Sequence, residues 1–380
     1  MKKSLLLGTL ATILIVGGGC ARTNAPVGDT AVKPTSAPVV DTSPIKIGWM
    51  GPLTGDIASL GKNAQMATQI AIDEINAAGG INGRNLVLVA EDSKCDAKEA
   101  ASAGNKLINV DKVSVIIGGL CSGETMAVAP TAEQNHVLVL SYGSSAPTVT
   151  AAGDYIFRTY PSDSFQGKFA SDYVYNKLGK HKVAVLAVLG DYGTGVKNAF
   201  IDNFKKLGGE VVYAEDYAQD ARDLRTQLTK VKSSGADLFY FVGYTEASVV
   251  GLKQAKELGL SLSILGADAW DDTKLHAAQG AEGIQYTAVA LRTGDDWAAK
   301  LKAYAVDNTV GAPQAYDGLK IIADIMKRVG TDTSKIKDEL YKVKDYAGVN
   351  GPITFDKNGD VTVANYDIKV VKNGKAEISK

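Results

Sequence analysis

From Ile45 onward the chain alternates short apolar runs rich in β-branched residues with helix-length stretches, and the alternation runs through twice. The first series reads IKIGWM, a helical stretch at 57–78, LVLVA, a stretch at 96–109, VSVIIG, a stretch at 123–134, and HVLVL. After DYIFRTYPSDSFQG comes a second: a stretch at 165–178, KVAVLAVL, 195–207, EVVYAE, 222–233, ADLFYFVG, 246–258 and SILGA. Strands buried on both faces and linked by helical crossovers make a parallel sheet covered by helices, so each series predicts one doubly wound α/β lobe. With 380 residues, 45% of them hydrophobic, the chain can fill two such cores. Left over are GIQYTAVAL, three helical stretches ending near Lys344, and GPITFDKNGDVTVANYDIKVV, whose Asn358-Gly359 step predicts a hairpin turn. Elements remaining after two complete units imply more than one crossing between the lobes, hence a multi-segment hinge beside a cleft. The expected division is 45–162 with 292–357 for the first lobe and 163–291 with 358–380 for the second.

The N-terminus, MKKSLLLGTLATILIVGGGC, has two lysines, an apolar stretch from Leu5 to Val16 and small residues before Cys20. This is the build of a secretory signal, and it is too short for an ordinary spanning helix. A cysteine directly after the small residues resembles a bacterial lipoprotein signal, in which Cys20 carries the lipid; plain secretion with an incidental cysteine is the alternative. Residues 21–44 hold four prolines among Ala, Thr, Ser and Val without periodic pattern. They are expected to form a disordered tether, spanning on the order of 27 Å root-mean-square. The expected location is therefore the outer face of the cell membrane, periplasmic or extracellular. A net charge of −1 gives no electrostatic footprint for nucleic acid, and that class is set aside.

Export changes the reading of the other two cysteines. Cys95, in EDSKCDAKEA, and Cys121, in GGLCSGET, each follow an apolar strand. Successive strands of a parallel sheet end at the same edge, so a structural disulfide is expected in an oxidising compartment. The rival, Cys121 as a nucleophile, needs a base nearby, and none of His136, His181 or His276 lies in a motif around it.

Other chemistries find little support. VLGDYGTGVKNAF, residues 188–200, has a strand, a Gly-rich turn and a helix start. It lacks the closing Gly-Lys-Ser/Thr of a phosphate loop, and Asn198 stands where the dinucleotide fingerprint needs glycine. Its glycines read as a tight turn, from which Tyr192 could face the cleft. Hydrolase and paired metal-ligand motifs are missing, so neither a catalytic residue nor a metal or cofactor is expected. Asp271 and Asp272 read as a solvated loop pair. What remains is a set of small polar residues at strand ends: Ser122, the segment SYGSSAP at 141–147, and Asp268 in LGADAW. A buried zwitterion needs donors for its carboxylate and acceptors for its ammonium, because unpaired burial of either costs several kcal/mol. Hydroxyls and helix N-termini suit the first, and a carbonyl with one carboxylate suits the second. Each serine taken singly reads more readily as an ordinary helix N-cap.

Several blocks together resemble one family: IKIGWMGPLTGDIASLG, AIDEINAAGGINGRNLVLVAEDSKCDAKEA, VIIGGLCSGET, IFRTYPSDSFQG, DLFYFVGYTEASVVGLKQAKELGL and GPITFDKNGD. The chain is similar, from about Ile45 to its end, to the periplasmic leucine/isoleucine/valine-binding proteins, the type I substrate-binding components of branched-chain amino-acid ABC transporters. The resemblance implies a monomeric, non-enzymatic receptor that closes on an amino acid and is read by permease subunits in the membrane. It implies a Cys95–Cys121 disulfide, with Ser122 and Ser145 on the ligand carboxylate and Gly143 offering its carbonyl to the ammonium. Ser144 is grouped with this ligand-binding segment. Asp268 falls at the family's acidic position for the ammonium, and Tyr192 and Tyr244 at positions whose rings wall the side chain. Three departures stand out: serine for threonine at 145, aspartate for glutamate at 268, and Leu60 for a flanking aromatic, with Gly311 where another aromatic often lies. The same fold also hosts receptors for amides, urea and small carboxylates, and a sensor feeding a signalling partner would look alike.

Overall fold

A computed structural model describes residues 42–307 and 309–379 together with Gly19. The expected signal with its Cys20 and most of the expected tether lie outside the described residues. The first series folds as β1 (Ile45–Gly51), α1 (Ala58–Ala77), β2 (Leu86–Asp92), α2 (Ala97–Asn105), β3 (Val115–Gly118), α3 (Ser122–Asn135), β4 (Leu138–Ser141) and β5 (Ile156–Arg158). The second folds as α4 (Asp163–Asp172), β6 (Lys182–Val188), α5 (Asp191–Lys206), β7 (Glu210–Tyr217), α6 (Arg225–Ser233), β8 (Leu238–Val242), α7 (Thr245–Glu257), β9 (Ser263–Gly266), α8 (Thr273–His276) and β10 (Gln285–Val289). The remainder gives α9 (Asp295–Ala303), α10 (Ala312–Val329), α11 (Thr333–Leu340), β11 (Tyr346–Gly348), β12 (Gly351–Ile353), β13 (Tyr366–Lys372) and β14 (Lys375–Ile378).

The strands form two main sheets. One runs β2-β1-β3-β4-β5 with every neighbouring pair parallel. In the other, β7-β6-β8-β9-β10 repeat the same parallel winding, and β13 and β14 extend the edge antiparallel. Strands β3, β4 and β8 are buried along their whole length, which is why VIIG, LVLS and LFYFV are almost wholly apolar. Edge strands β2 and β7 are mostly half-buried and carry charged residues. In both sheets the strand order reverses at the first strand, between β1 and β3 and between β6 and β8. The strand ends at such a reversal leave a crevice that no helix covers.

Helix α10 completes the first lobe by packing along α1. Its apolar stripe of Ala315, Leu319, Ile322 and Met326 recurs at helical spacing. Pro313 stands in its first turn and Gly330, at φ +77°, ends it. The chain passes between the lobes at 159–162, at 290–294 and again beyond Val361. The residues around the expected 357/358 boundary are bound to the first sheet. Residues 355–361 run beside β5: Phe355 bridges Val361, Arg158 donates its N–H to the Gly359 carbonyl, and the buried Arg158 guanidinium holds Asp360 at 2.7 Å. Here the Asn358-Gly359 step does turn the chain, with Gly359 at φ +80°. Helices α4 and α5 start earlier than the expected 165 and 195. Ser162 caps α4 by accepting the Ser164 N–H. The Gly-rich stretch after β6 is already the first turn of α5, because Gly190 at φ +130° turns the chain at once. Gly193 then lets the helix sit close to β6, where a Cβ would come within 1.8 Å of the Val188 carbonyl oxygen.

Candidate ligand-binding site

The crevices of the two sheets face each other across a cavity with about 370 Å³ of space between protein atoms, its opening to solvent included. The first lobe contributes Leu60, Ser122, Gly143 and Ser145, and the second contributes Tyr192, Tyr244 and Asp268. Seven of the eight expected ligand-binding residues therefore meet at one cavity. The eighth, Ser144, does not line it. Its hydroxyl is buried inside the first lobe against Thr125 Oγ1 at 2.8 Å and the Cys121 carbonyl at 3.0 Å. The reason is local: Ser141 Oγ accepts the Ser144 N–H at 2.9 Å and donates to the Gly119 carbonyl at 2.9 Å, which fixes the turn and sends adjacent side chains to opposite sides.

Ser122 opens α3, so its hydroxyl stands at a helix N-terminus, where the free N–H groups favour negative charge. Its Oγ accepts the Ala146 N–H at 3.0 Å, leaving its own proton for an acceptor in the cavity. Neither the Ser145 N–H nor the Gly143 carbonyl is engaged by another described residue. The turn bearing Ser122 is held from behind by Glu124, which is fully buried. Its carboxylate accepts the N–H groups of Leu120 and Cys121 at 2.8 Å and of Cys95 at 3.0 Å, together with the Ser93 hydroxyl. Burial pushes its carboxyl up to about 7 against the downward pull of those donors. Cys95 and Cys121 are joined, with Cα atoms 5.5 Å apart, so Cys121 is no free nucleophile.

At the other end the polarity reverses. Asp268 follows β9 and accepts the hydroxyls of Tyr160 and Tyr192, both at 2.7 Å. The Tyr192 ring stacks on Tyr244 with centroids 5.1 Å apart. Two residues absent from the expected set belong here. Tyr160 lines the cavity. Asp163, in the first turn of α4, is wholly buried with neither carboxylate oxygen in a hydrogen bond of good geometry. Burial first and the Asp268 charge second hold its carboxyl well above the usual range, while the Ser145 hydroxyl and the Arg158 guanidinium pull it down. The remaining walls are Ile57, Leu120, Ala269 and Val310, and among the described residues no lysine, arginine or histidine lines the space. The cavity thus has a donor end, an acidic end and an aliphatic wall.

Asp271 and Asp272, expected in solvent, are buried instead. Asp271 takes the Lys369 ammonium at 2.7 Å and the Tyr286 hydroxyl at 2.8 Å. Asp272 accepts the Lys274 N–H at 2.8 Å and the Ser59 hydroxyl at 2.7 Å. The turn carrying Asp268 is anchored by partners far away in sequence, which a local reading does not reveal.

The periplasmic binding protein family matches residues 44–376. The Leu/Ile/Val-binding protein homolog 3 of Brucella melitensis is 29% identical over 340 residues, covering 87% of this chain and 92% of that one. Among solved structures, the branched-chain amino acid transporter substrate-binding protein LivJ of Streptococcus pneumoniae in complex with isoleucine is 31% identical, with a TM-score of 0.79 over 88% of this chain and 98% of its own. A leucine-binding protein LivK from Thermotoga maritima is 28% identical, with a TM-score of 0.82 over 88% and 98% respectively.

Proposed function

Since the chain belongs to the periplasmic binding protein family, we propose that it is the exported substrate-binding component of an ABC transporter and that its cargo is a free amino acid with an aliphatic side chain. One observation carries the reading: the cavity has hydroxyl and amide donors at one end, and at the other a buried carboxylate, Asp268, with no cation among the described lining residues. A zwitterion satisfies both ends. Its carboxylate meets Ser122, the Ser145 N–H and the start of α3; its ammonium meets Asp268 and the Gly143 carbonyl. The aliphatic wall and the Tyr192–Tyr244 pair take the side chain. A benzoate, amide or urea would leave Asp268 buried at the cavity without a counter-charge, which disfavours those cargoes. The isoleucine complex of the pneumococcal relative supports the same class of ligand. Lipidation at Cys20, a tether up to residue 44 and handover to a permease rather than a signalling partner complete the proposal.

The test is calorimetric titration of protein unfolded and refolded to strip carried-over ligand, against aliphatic amino acids, amides, urea and benzoate. An aliphatic amino acid is expected to bind. Asp268→Asn should weaken it on the order of 100-fold, because a buried ammonium then loses its charge partner. Binding of benzoate or an amide alone, or an unaltered affinity in the variant, would overturn the assignment.

A further inference from the structure

The lobes also touch outside the cavity. Ser59, in the first turn of α1, donates its hydroxyl across the cleft to Asp272 Oδ2 at 2.7 Å. Asp272 is held ready by its own lobe: Thr245 Oγ1 donates to Oδ2 at 3.2 Å and the Lys274 N–H to Oδ1 at 2.8 Å. Two weaker contacts span the same gap. Gln219 Nε2 donates to the Cys95 carbonyl at 3.1 Å, and the largely exposed Arg222 reaches Asp56 at 3.2 Å. Beside them α5 seats directly on the first lobe, where a Cβ at Gly195 would lie 2.7 Å from Pro147 Cδ. Any side chain there would hold the lobes apart. Neither Ser59, Asp272 nor Gly195 lines the cavity.

We propose that Ser59 and Asp272 form a latch which, with the close seat of Gly195 on Pro147, stabilises the lobes' approach for whatever ligand the cavity holds, and so scales affinity without setting selectivity. The argument is one of linkage. A contact made only when the lobes meet raises the population of the binding-competent form, and apparent affinity for every ligand follows that population by the same factor. Asp272 keeps two donors of its own lobe when the lobes part, so opening gives up one hydrogen bond and leaves no stranded charge. This makes the latch weak enough to release. The inference rests on the cleft being the ligand site as proposed above.

The experiment compares wild type with Ser59→Ala, Ser59→Thr and Gly195→Ala. Dissociation constants and off-rates are measured for L-leucine, L-isoleucine and L-valine, and the radius of gyration by X-ray scattering with and without each. Ser59→Ala should weaken all ligands that wild type binds by one common factor, roughly 5- to 30-fold, with faster release. Ser59→Thr should restore most of the loss, and Gly195→Ala should also act uniformly. Unchanged affinity in Ser59→Ala, or factors that differ between ligands, would overturn the latch. If wild type binds none of the three, the cargo assignment is what fails. The latch is then judged on the ligand-free proteins: a larger radius of gyration in Ser59→Ala supports it and an equal one overturns it.

Discussion

Glu124 carries four donors on one buried carboxyl, yet its burial still raises the group from 4.5 to about 7. The consequence for stability has a definite sign. Between about pH 4.5 and 7 the folded chain keeps a proton that the unfolded chain has released, so Glu124's contribution is full below 4.5 and is lost as pH rises through 7. Glu124→Gln should be less stable overall, because its amide cannot accept from all four donors, but its urea midpoint should fall less steeply over that window. Equal slopes for variant and wild type would refute the assignment. Other residues show where a sequence reading stops. Ser144 and Ser145 are indistinguishable by type, and only the Ser141 hydrogen bond decides which of them meets the cavity. Asp163 precedes the helical stretch expected at 165–178, yet it stands in the first turn of α4, and its burial comes from the fold around it, which no local pattern records. Of the seven cavity residues, Ser122, Gly143, Ser145 and Asp268 were legible from strand ends as well as from the family blocks, whereas Leu60 and Tyr244 came from the family resemblance alone and Tyr192 from its Gly-rich turn and that resemblance.

At the level of elements, the order of strands and helices was legible from two hydrophobic periods. The starts of α4 and α5 were displaced by the capping of Ser162 and the turn at Gly190. The stretch around the expected 357/358 boundary is fastened to β5 by the Arg158–Asp360 pair, whose members stand 202 residues apart. The disulfide and Glu124 fasten the same two loops by different means, one covalent and one through backbone N–H groups. Replacing both Cys95 and Cys121 with serine opens a loop with a sequence separation of 26. This should cost about 3 kcal/mol of stability in chemical denaturation. Ligand affinity should stay within a few-fold, since Glu124 still grips both loops behind Ser122. A loss of binding in a variant that remains folded would show that the covalent link itself shapes the site.

Over the whole molecule, the same winding appears in both sheets, but their crevices carry opposite chemistry: donors at a helix start in the first lobe, an aspartate with two tyrosines around it at the second. The lobes are joined by three strands of chain, and these are tied sideways: Ala290 donates its N–H to the Asn365 carbonyl, and Asn350 bonds to both Ala290 and Arg292. Val363, 56% exposed on the last crossing, is open to a protease. Upstream of it Asp360 is clamped by Arg158, and downstream β13 lies paired between β10 and β14. A single cut at that position should therefore leave two fragments that travel together in gel filtration and part only in denaturant. Departure of the short C-terminal fragment under native conditions would contradict this. The three-stranded hinge thus gives the receptor redundancy of the kind a rope has, in which severing one ply leaves the load on the others.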